Sequence, residues 1–325
     1  IEVITKKDEA DIAWGVKNRV DYFAISFVQN AKDMRRAREL LGDYKGKLIA
    51  KIEKFDAVSN IDEIIEVSDG IMVARGDLGI EVPYYDVPTI QKMLIKKSNA
   101  KGIPVITATQ MLLSMTQNER ATRAEISDVA NAVLDGTDIV MLSEESAVGE
   151  NPVNVVETMH NIISQTEKIF DHEKRYKFTY LDEFDVIQAT VTKLADDLSA
   201  DGILSLTSSG NSARKMSRYR PITPLYTFAH DKETLTGLTA LWGVEPITTV
   251  KEAQASKMIQ RMLRSLEKRE ILNKKGLYIC TVGYPVGIPG STNTIKILTP
   301  SEIEFYLNFK ENREKIKTEK KVNLA

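Results

Sequence analysis

The stretch that decides the fold runs from residue 47 to residue 83 and reads KLIAKIEKFDAVSNIDEIIEVSDGIMVARGDLGIEVP. It contains two short apolar segments, separated by a segment of helical spacing. Lys51 and Glu53 close the first apolar segment, and Arg75 and Asp77 close the second. Strands that are charged only at their carboxyl ends are typical of a parallel α/β sheet, where these ends border a crevice. Two carboxylates, a lysine and a glycine-flanked turn at such a crevice would suit a divalent metal and an anionic ligand.

Outside this stretch the chain alternates strands and helices with short connections, which predicts a parallel sheet covered by helices. Five βα units precede residue 170, with predicted strands at 20–28, 47–53, 70–75, 103–109 and 138–143. A first helix is predicted at 8–19, and the units' helices at 31–42, 58–68, 86–102, 122–136 and 152–170.

An open doubly wound sheet and a (β/α) barrel share this alternation, so periodicity alone does not separate them. Charged and hydroxyl residues follow consecutive strands, and this favours the barrel, because every strand end in a barrel faces one mouth. These residues are Ser26, Lys51, Glu53, Asp77, Thr109 and Ser143.

The chain is predicted to form two domains. Residues 1–170 make the first domain, 171–184 a charged and aromatic connector, 185–300 a second α/β domain, and 301–325 a charged tail. In the second domain we expect helices at 185–199, 231–241 and 250–272, and strands at 202–207, 224–229, 244–250, 276–283 and 294–298.

The 325 residues are 42% hydrophobic and 28% charged, with a net charge of -2, as in an ordinary soluble protein of about two domains. This composition gives no support for binding nucleic acid, and no apolar run reaches the roughly 20 residues of a membrane helix. The single cysteine, Cys280, excludes an internal disulfide and indicates a reducing compartment, so we expect the cytoplasm. The sequence begins at Ile1 rather than Met, and we expect it to start inside a longer protein.

Glu53 and Asp77 are the candidate metal ligands, because Mg²⁺ commonly takes one or two carboxylates together with substrate oxygens and water. Roles as helix caps, or as ion-pair partners of Lys51 and Arg75, explain the two carboxylates equally well. The charge of Lys51, on the same strand face as Glu53, could stabilise an enolate or a transferring phosphoryl oxygen. On spacing alone, an ordinary ion pair with Glu53 explains Lys51 better.

Gly76, Asp77, Leu78 and Gly79 are predicted to form a turn whose backbone amides could approach an anion closely. Glycines are common in such loops, so this pattern by itself is a weak indication. Thr109 ends the fourth strand, where its hydroxyl could position a proton or a substrate carboxylate. A threonine at such a place is more often a helix N-cap.

A loop of small residues follows the strand at 202–207 and leads into a helix, a setting that suits phosphate. Its residues are Thr207, Ser208, Ser209, Gly210, Asn211 and Ser212. The loop matches neither the P-loop nor the Rossmann pattern, and a plain turn with a Ser or Asn cap explains it equally well. The Gly/Pro-rich loop GYPVGIPGSTN at 283–293 adds support for ligand binding.

Longer motifs are more specific than these spacings. They are AKIE at 50–53, DGIMVARGDLGIE at 69–81, PVITATQML at 104–112, TRAEISDVANAVLDGTD at 122–138 and VMLSEESAVGENPV at 140–153. In this order and spacing they closely resemble the pyruvate kinase family. TSSGNSARKMSRYRP at 207–221 and PVGIPGSTNTIKI at 285–297 resemble the C-terminal domain of the same family. The resemblance covers the chain from about residue 3 to about residue 298.

The resemblance implies a partial (β/α)8 TIM barrel, comprising strands 4–8, followed by an α/β C-terminal domain for effector binding and oligomerisation, in a homotetramer. It implies phosphoryl transfer from phosphoenolpyruvate to ADP in glycolysis, giving pyruvate and ATP. The cofactors it implies are Mg²⁺ or Mn²⁺ and, in many members, K⁺.

Individual residues match the family's motifs. Glu53 and Asp77 match the divalent-metal ligands, and Lys51 matches the lysine that stabilises the enolate and the bridging phosphoryl oxygen. The backbone of Gly76 and Asp77, with the Thr109 hydroxyl, matches the substrate-carboxylate site. Thr109 also matches a residue implicated in protonating the enolate.

The chain departs from the family pattern in two places. The family's first strands carry a substrate-binding arginine and the K⁺ ligands, and a lid domain follows its third strand; we expect these parts to lie upstream of Ile1. In the loop at 207–212, Ser208 and Asn211 stand where many members have a longer or basic residue. This difference argues against fructose bisphosphate as activator and leaves another sugar-phosphate or phosphate effector.

Two further functions fit the same residues. The chain could be a non-catalytic effector-binding and oligomerisation module that keeps only part of a metal site. A different barrel enzyme of enolate chemistry, such as an aldolase or a phosphoenolpyruvate-dependent lyase, would share the metal and carboxylates but would not need the second domain.

Overall fold

A computed structural model describes residues 3–172, 178–252, 254–283 and 292–309. The chain divides into two compact units near residue 174, and Ala240–Trp242 belong to the first. Each unit is built on a sheet of its own.

The first unit contains a five-stranded sheet in which all neighbouring strands are parallel. The strands are β1 (Tyr22–Ile25), β2 (Lys47–Ile52), β3 (Gly70–Ala74), β4 (Val105–Ala108) and β5 (Ile139–Met141). They are hydrogen-bonded in chain order, from β1 to β5. A doubly wound sheet reverses its strand order at a switch point, so this sequential order confirms the winding of a partial (β/α) barrel.

Helices connect these strands and cover the sheet. They are α1 (Lys6–Lys17), α2 (Ala31–Leu41), α3 (Phe55–Ser59), α4 (Ile61–Val67), α5 (Arg75–Glu81), α6 (Val87–Lys101), α7 (Arg123–Asp135), α8 (Glu144–Ala147) and α9 (Pro152–Thr166). Short 3₁₀ helices lie at Tyr84–Asp86, Leu113–Thr116 and Glu167–Ile169. Three α-helices begin with a capping box, at Thr5, Asn30 and Thr122, in which the side chain three residues later bonds back to the cap.

The main core of the first unit lies between the sheet and its helices. β3 is buried along its whole length, as expected of a strand covered on both faces. The core cluster includes Leu48, Ile52, Ile71 and Val73 from the strands and Met34, Ile64 and Leu94 from the helices.

Two elements of the first unit differ from their predicted form. The glycine turn predicted at 76–79 lies inside helix α5, which starts directly after β3. Leu78 is its buried residue, so tertiary packing overrides the low helix propensity of the two glycines. The helix predicted at 58–68 is instead the pair α3 and α4, which meet at Asn60, a residue type that favours helix ends.

The second unit contains a mixed five-stranded sheet. Its strands are β6 (Gly202–Thr207), β7 (Leu225–Ala229), β8 (Val244–Thr249), β9 (Tyr278–Gly283) and β10 (Thr292–Leu298). The spatial order is β10-β9-β6-β7-β8, and β10 alone runs antiparallel to its neighbour. The chain leaves β6 toward one edge and later returns to its other side, so β6 lies at a topological switch point.

The described residues of the second unit also form α10 (Glu183–Asp197), α11 (Asn211–Arg218), α12 (Lys232–Thr236), α13 (Ala255–Lys268) and α14 (Pro300–Leu307). Helix α14 occupies residues that we had assigned to the charged tail, and its Ile303 is buried in the core with Met262 and Leu298. Parts of four predicted segments lie outside the described residues: 173–177 of the connector, 253 of the helix predicted at 250–272, 284–291 of the Gly/Pro-rich loop, and 310–325 of the tail.

A buried polar network joins α10 to α11. The Asp185 carboxylate accepts hydrogen bonds from the Arg218 guanidinium, from the Tyr219 hydroxyl at 2.9 Å and from the Leu181 amide at 2.8 Å. Burial raises the pKa of Tyr219 far above its ordinary value of 10.0, so the phenol stays a donor. This network fixes the start of α10 against the end of α11.

In the parts of the chain that the structure describes, no helix is both long and apolar enough to cross a membrane.

Candidate active site

Lys51 and Glu53 form an ion pair at the carboxyl end of β2. The Lys51 ammonium lies 2.6 Å from Glu53 Oε1 and donates to Ser26 Oγ at 2.9 Å. Glu53 Oε2 accepts from the Phe27 amide at 2.7 Å. The Glu53 side chain is only 1% exposed, whereas Lys51 is 24% exposed. The pair that spacing predicted is therefore present, and it presents a partly exposed positive charge beside a buried carboxylate.

Asp77 has the opposite surroundings to Glu53. It lies in the first turn of α5, just beyond β3, and its side chain is exposed. Among the described residues it makes no hydrogen bond or ion pair. The alternative in which Arg75 pairs with Asp77 is wrong, because Arg75 pairs with Asp128 on α7. A carboxylate near a helix N-terminus is favoured by the helix dipole and remains available to an external ligand.

Thr109 follows β4 and faces the start of α5. Its hydroxyl oxygen accepts from the Gly76 amide at 2.8 Å and donates to the Ala108 carbonyl at 2.6 Å. Thr109 is not the cap of the next helix, because Thr122 caps α7. Both Thr109 (φ +68°) and Gln110 (φ +53°) have left-handed backbone, which costs about 1–2 kcal/mol for each residue with a side chain. Their neighbours must therefore hold this turn in place.

Arg75 binds the carbonyl groups of the strained turn. Its guanidinium donates to the carbonyls of Ala108 (3.3 Å), Thr109 (2.7 Å) and Gln110 (3.2 Å). Another edge of the same group bonds both carboxylate oxygens of Asp128, at 2.8 and 2.6 Å. The sequence indicated Arg75 only as a partner for Asp77, because the loop carbonyls and Asp128 lie 33 to 53 residues away in the chain.

Glu145, at the start of α8, binds the other side of the same loop. Its buried carboxylate accepts from the amides of Met111 and Leu112, both at 3.1 Å, and from the Ser143 amide at 2.7 Å. A cation thus holds the carbonyls of the loop, and an anion holds its amides. The sequence signal for Glu145 was the motif VMLSEESAVGENPV itself, which does not indicate which carboxylate turns inward.

Glu53 and Asp77, the two carboxylates predicted to bind magnesium, lie at the ends of β2 and β3. These strands are neighbours in register, with Ile52 opposite Val73, so Glu53 and Asp77 follow adjacent strand ends. No group of three or more His, Cys, Asp or Glu side chains suited to a metal occurs among the described residues. Two carboxylates are nevertheless enough for Mg²⁺, which takes its remaining ligands from substrate and water.

A cavity of about 790 Å³ lies beside this site, between α1 and the free side of β1. Ser26, the hydroxyl partner of Lys51, forms part of its lining together with Phe27 and Lys54. The cavity is large enough for a small ligand, and it reaches the Ser26 hydroxyl that Lys51 bonds, although Lys51 does not line it.

The second-unit loop 207–212 follows β6, the strand at the switch point of the second sheet. Gly210 has left-handed backbone (φ +85°) and is the N-cap of α11. Its amide donates to the buried Thr207 hydroxyl at 2.9 Å, while Ser209 and Asn211 are exposed. Carboxyl ends of strands at switch points are where open α/β sheets bind ligands, and the predicted phosphate loop has this position.

Comparison with known proteins gives matches over both units. The family model "Pyruvate kinase, barrel domain" matches residues 1–156, and "Pyruvate kinase, alpha/beta domain" matches residues 185–298. Proteins named pyruvate kinase from Lactobacillus delbrueckii subsp. bulgaricus and Geobacillus stearothermophilus are each 42% identical, over 90% and 92% of this chain. One from Clostridium acetobutylicum is 40% identical over 91% of it. The aligned part spans 51%, 52% and 64% of these relatives, so the chain spans about half the length of the first two.

Proposed function

The chain belongs to the pyruvate kinase family, and on that premise we propose that it takes part in phosphoryl transfer from phosphoenolpyruvate to ADP, giving pyruvate and ATP in glycolysis. One observation carries the proposal. The carboxyl ends of the neighbouring strands β2, β3 and β4 present the Lys51–Glu53 pair, the exposed Asp77 carboxylate and the Thr109–Gly76 hydrogen bond. Because its substrates are cytoplasmic metabolites, we propose that the protein acts in the cytoplasm.

Lys51 stabilises the charge that moves in this reaction. Phosphoryl transfer depends on positioning and charge neutralisation more than on covalent chemistry by the protein. The ammonium of Lys51 is held by Glu53 and Ser26, so it needs no reorganisation when negative charge develops on the bridging oxygen and then on the enolate.

Glu53 and Asp77 are the residues that would hold Mg²⁺ or Mn²⁺. Bound there, the metal would supply positive charge against the phosphoryl and enolate oxygens. Glu53 must share its carboxylate with Lys51, whereas Asp77 is free of competing partners among the described residues. We therefore assign Asp77 the more exposed side of the metal site.

Thr109 and the first turn of α5 bind and protonate the product. The amides of Gly76 and Asp77 lie at the amino end of α5, where backbone donors lack helical partners. The Gly76 amide donates to Thr109 Oγ1, and it would exchange this bond for one to the substrate carboxylate, beside the Asp77 amide. The Thr109 hydroxyl donates its proton to the Ala108 carbonyl. In the reaction this proton leaves the carbonyl and passes to the enolate carbon, which becomes the methyl group of pyruvate. Solvent then returns a proton to Thr109.

Lys51→Met tests the enzymatic proposal. The variant is assayed with phosphoenolpyruvate, ADP and Mg²⁺. We expect its turnover to fall by a factor on the order of 10²–10³, because it lacks the preorganised charge. Its circular dichroism should be unchanged. Lys97→Met is the matched control, since Lys97 pairs with the exposed Asp62 and belongs to no part of the site. Equal turnover of Lys51→Met and the parent chain would refute the role of Lys51.

The second candidate function, a non-catalytic effector-binding and oligomerising module, is favoured by the position of loop 207–212 at the switch point. It would take a sugar phosphate or another phosphate effector in a homotetramer. No turnover by the parent chain, together with stabilisation by inorganic phosphate, would favour this module over the enzyme. An aldolase or lyase is disfavoured, because family models match both units.

Ser209→Glu tests the phosphate site, because it adds a negative charge to an exposed position of the loop. We expect it to abolish the rise in melting temperature that inorganic phosphate gives to the second unit. Thr190→Glu adds the same charge to an exposed position of α10 and should leave the phosphate effect intact. Equal effects in the two variants would refute the site, and sedimentation of the parent chain tests the tetramer.

A further inference from the structure

Arg75 connects three elements of the first unit through one nearly buried side chain. Arg75 is the first residue of α5. One edge of its guanidinium donates to the carbonyls of residues 108–110 at the end of β4. The other edge donates to the Asp128 carboxylate of α7. The side chain is only 10% exposed. Such a group is built to fix geometry rather than to meet a ligand.

The direction of the bound carbonyls is the important feature. Thr109 and Gln110 have left-handed backbone, and this conformation turns their carbonyl groups toward the guanidinium of Arg75. With its backbone in this conformation, the Thr109 hydroxyl meets the Gly76 amide. Gly76 is the residue after Arg75. The first turn of α5 therefore both holds the turn at 109–110, through Arg75, and donates the Gly76 amide to the Thr109 hydroxyl.

We propose that Arg75, held by Asp128, is a positioning residue that fixes the Thr109–Gln110 turn and so aims the Thr109 hydroxyl at the first turn of α5. The role in catalysis rests on the function proposed above for Thr109. Arg75 itself touches neither substrate nor reacting atoms. Its planar fork can serve several carbonyls and a carboxylate together, which a lysine ammonium with a single nitrogen cannot do.

Amide hydrogen exchange at Gly76 tests the positioning without substrate. In the parent chain this amide is protected by the bond to Thr109 Oγ1. We expect Arg75→Lys to speed its exchange on the order of 10-fold or more, while the amides in the middle of α6 keep their protection. Lys92→Met is the matched control, because it removes a cation that joins α6 to Asp135 of α7 without touching the loop. Unchanged exchange at Gly76 in Arg75→Lys would overturn the proposal.

A double-mutant cycle tests the consequence for the reaction. Exchange of the pyruvate methyl protons with D₂O, followed by NMR, reports the proton transfer assigned to Thr109. We expect Arg75→Lys to slow it on the order of 10–100-fold, because small misplacements of a catalytic group are costly. Thr109→Val should slow it at least as much, and the double variant should be no slower than Thr109→Val alone.

The outcomes separate the two levels of the proposal. Additive losses in the double variant would show that Arg75 does not act through Thr109 and would overturn its positioning role. Normal proton exchange in Thr109→Val would refute the proposed function of Thr109 instead. In that case the Gly76 amide measurement still decides whether Arg75 fixes the turn.

Discussion

Glu53 and Asp77 carry the same charge at neighbouring strand ends but differ in burial. Glu53 is buried and bonded to Lys51 and the Phe27 amide, whereas Asp77 is exposed. We expect Glu53→Gln to lower the free energy of unfolding by about 1–3 kcal/mol, because the Lys51 ammonium loses its anionic partner. Asp77→Asn should change it by less than about 0.5 kcal/mol. Urea denaturation of the two variants measures the difference.

Metal affinity should respond to both substitutions, unlike stability. Titration with Mn²⁺, followed by electron paramagnetic resonance, should show binding weakened at least ~10-fold in Glu53→Gln and in Asp77→Asn. Glu81→Gln changes a carboxylate at the other end of α5 and serves as the control. Parent-like Mn²⁺ affinity in both site variants would contradict the metal assignment.

At the residue scale, the sequence predicted contacts that are local and missed those that close over long loops. Lys51 and Glu53 are two residues apart on one strand, so alternation alone predicted their pair. Arg75 and Asp128 are 53 residues apart, and only the fold brings them together. The left-handed backbone of Thr109 could not be predicted either, since threonine rarely adopts it without such support.

At the scale of single elements, Glu125 gives α7 a pH-dependent cap. Burial raises the pKa of Glu125, but hydrogen bonds from Ser114 and Thr122 outweigh it and hold the pKa below the ordinary 4.5. A carboxyl with a lowered pKa stabilises the fold above its unfolded pKa, and this contribution is lost as the pH falls through the folded pKa. We therefore expect Glu125→Gln to be most destabilising near neutral pH.

Denaturation at about pH 7 and about pH 3.5 measures this effect, because the second value lies below the unfolded pKa. The difference in free energy of unfolding between the parent chain and Glu125→Gln should shrink on acidification. A difference that stays constant or grows would contradict the assignment of the cap.

Gly79 in α5 and Gly149 after α8 should respond oppositely to alanine. A Cβ at Gly79 would meet only Val87 Cγ2, at 3.7 Å, whereas a Cβ at Gly149 would lie 2.2 Å from the Glu145 carbonyl oxygen. We expect Gly79→Ala to raise the free energy of unfolding by about 0.5–1 kcal/mol, since alanine favours helix. Gly149→Ala should lower it by about 1–3 kcal/mol. Urea unfolding that ranked the two variants the other way would show that these backbone environments are wrong.

Helix α5 also shows why an element can be misread from its sequence. Residues 75–79 read RGDLG, and two glycines in five residues are the composition of a turn. In the fold, Leu78 is buried and Arg75 is tied to α7, so tertiary contacts stabilise a helix that propensity disfavours. The bounds of longer helices, such as α2 and α7, were predicted to within a residue or two, because their capping residues can be recognised in the sequence.

At the scale of the whole molecule, the two units share βα alternation but differ in winding. The first sheet keeps chain order from β1 to β5, whereas the second changes direction at β6. Alternation alone predicted the parallel strands of the first unit. It could not predict the reversal, because strand order depends on which edge each helix crosses, and that choice leaves no periodic signal.

The single cysteine allows the opening of the second unit to be followed by its rate of chemical modification. Cys280 is fully buried in β9, and burial raises its thiol pKa to about 12. A thiol reagent should therefore react only when the second sheet opens, and its rate should report that event. We expect Gly149→Ala, in the first unit, to leave this rate unchanged while urea accelerates it. The modification rate of this native cysteine thus measures how often the second sheet becomes exposed, and no probe has to be engineered into the chain.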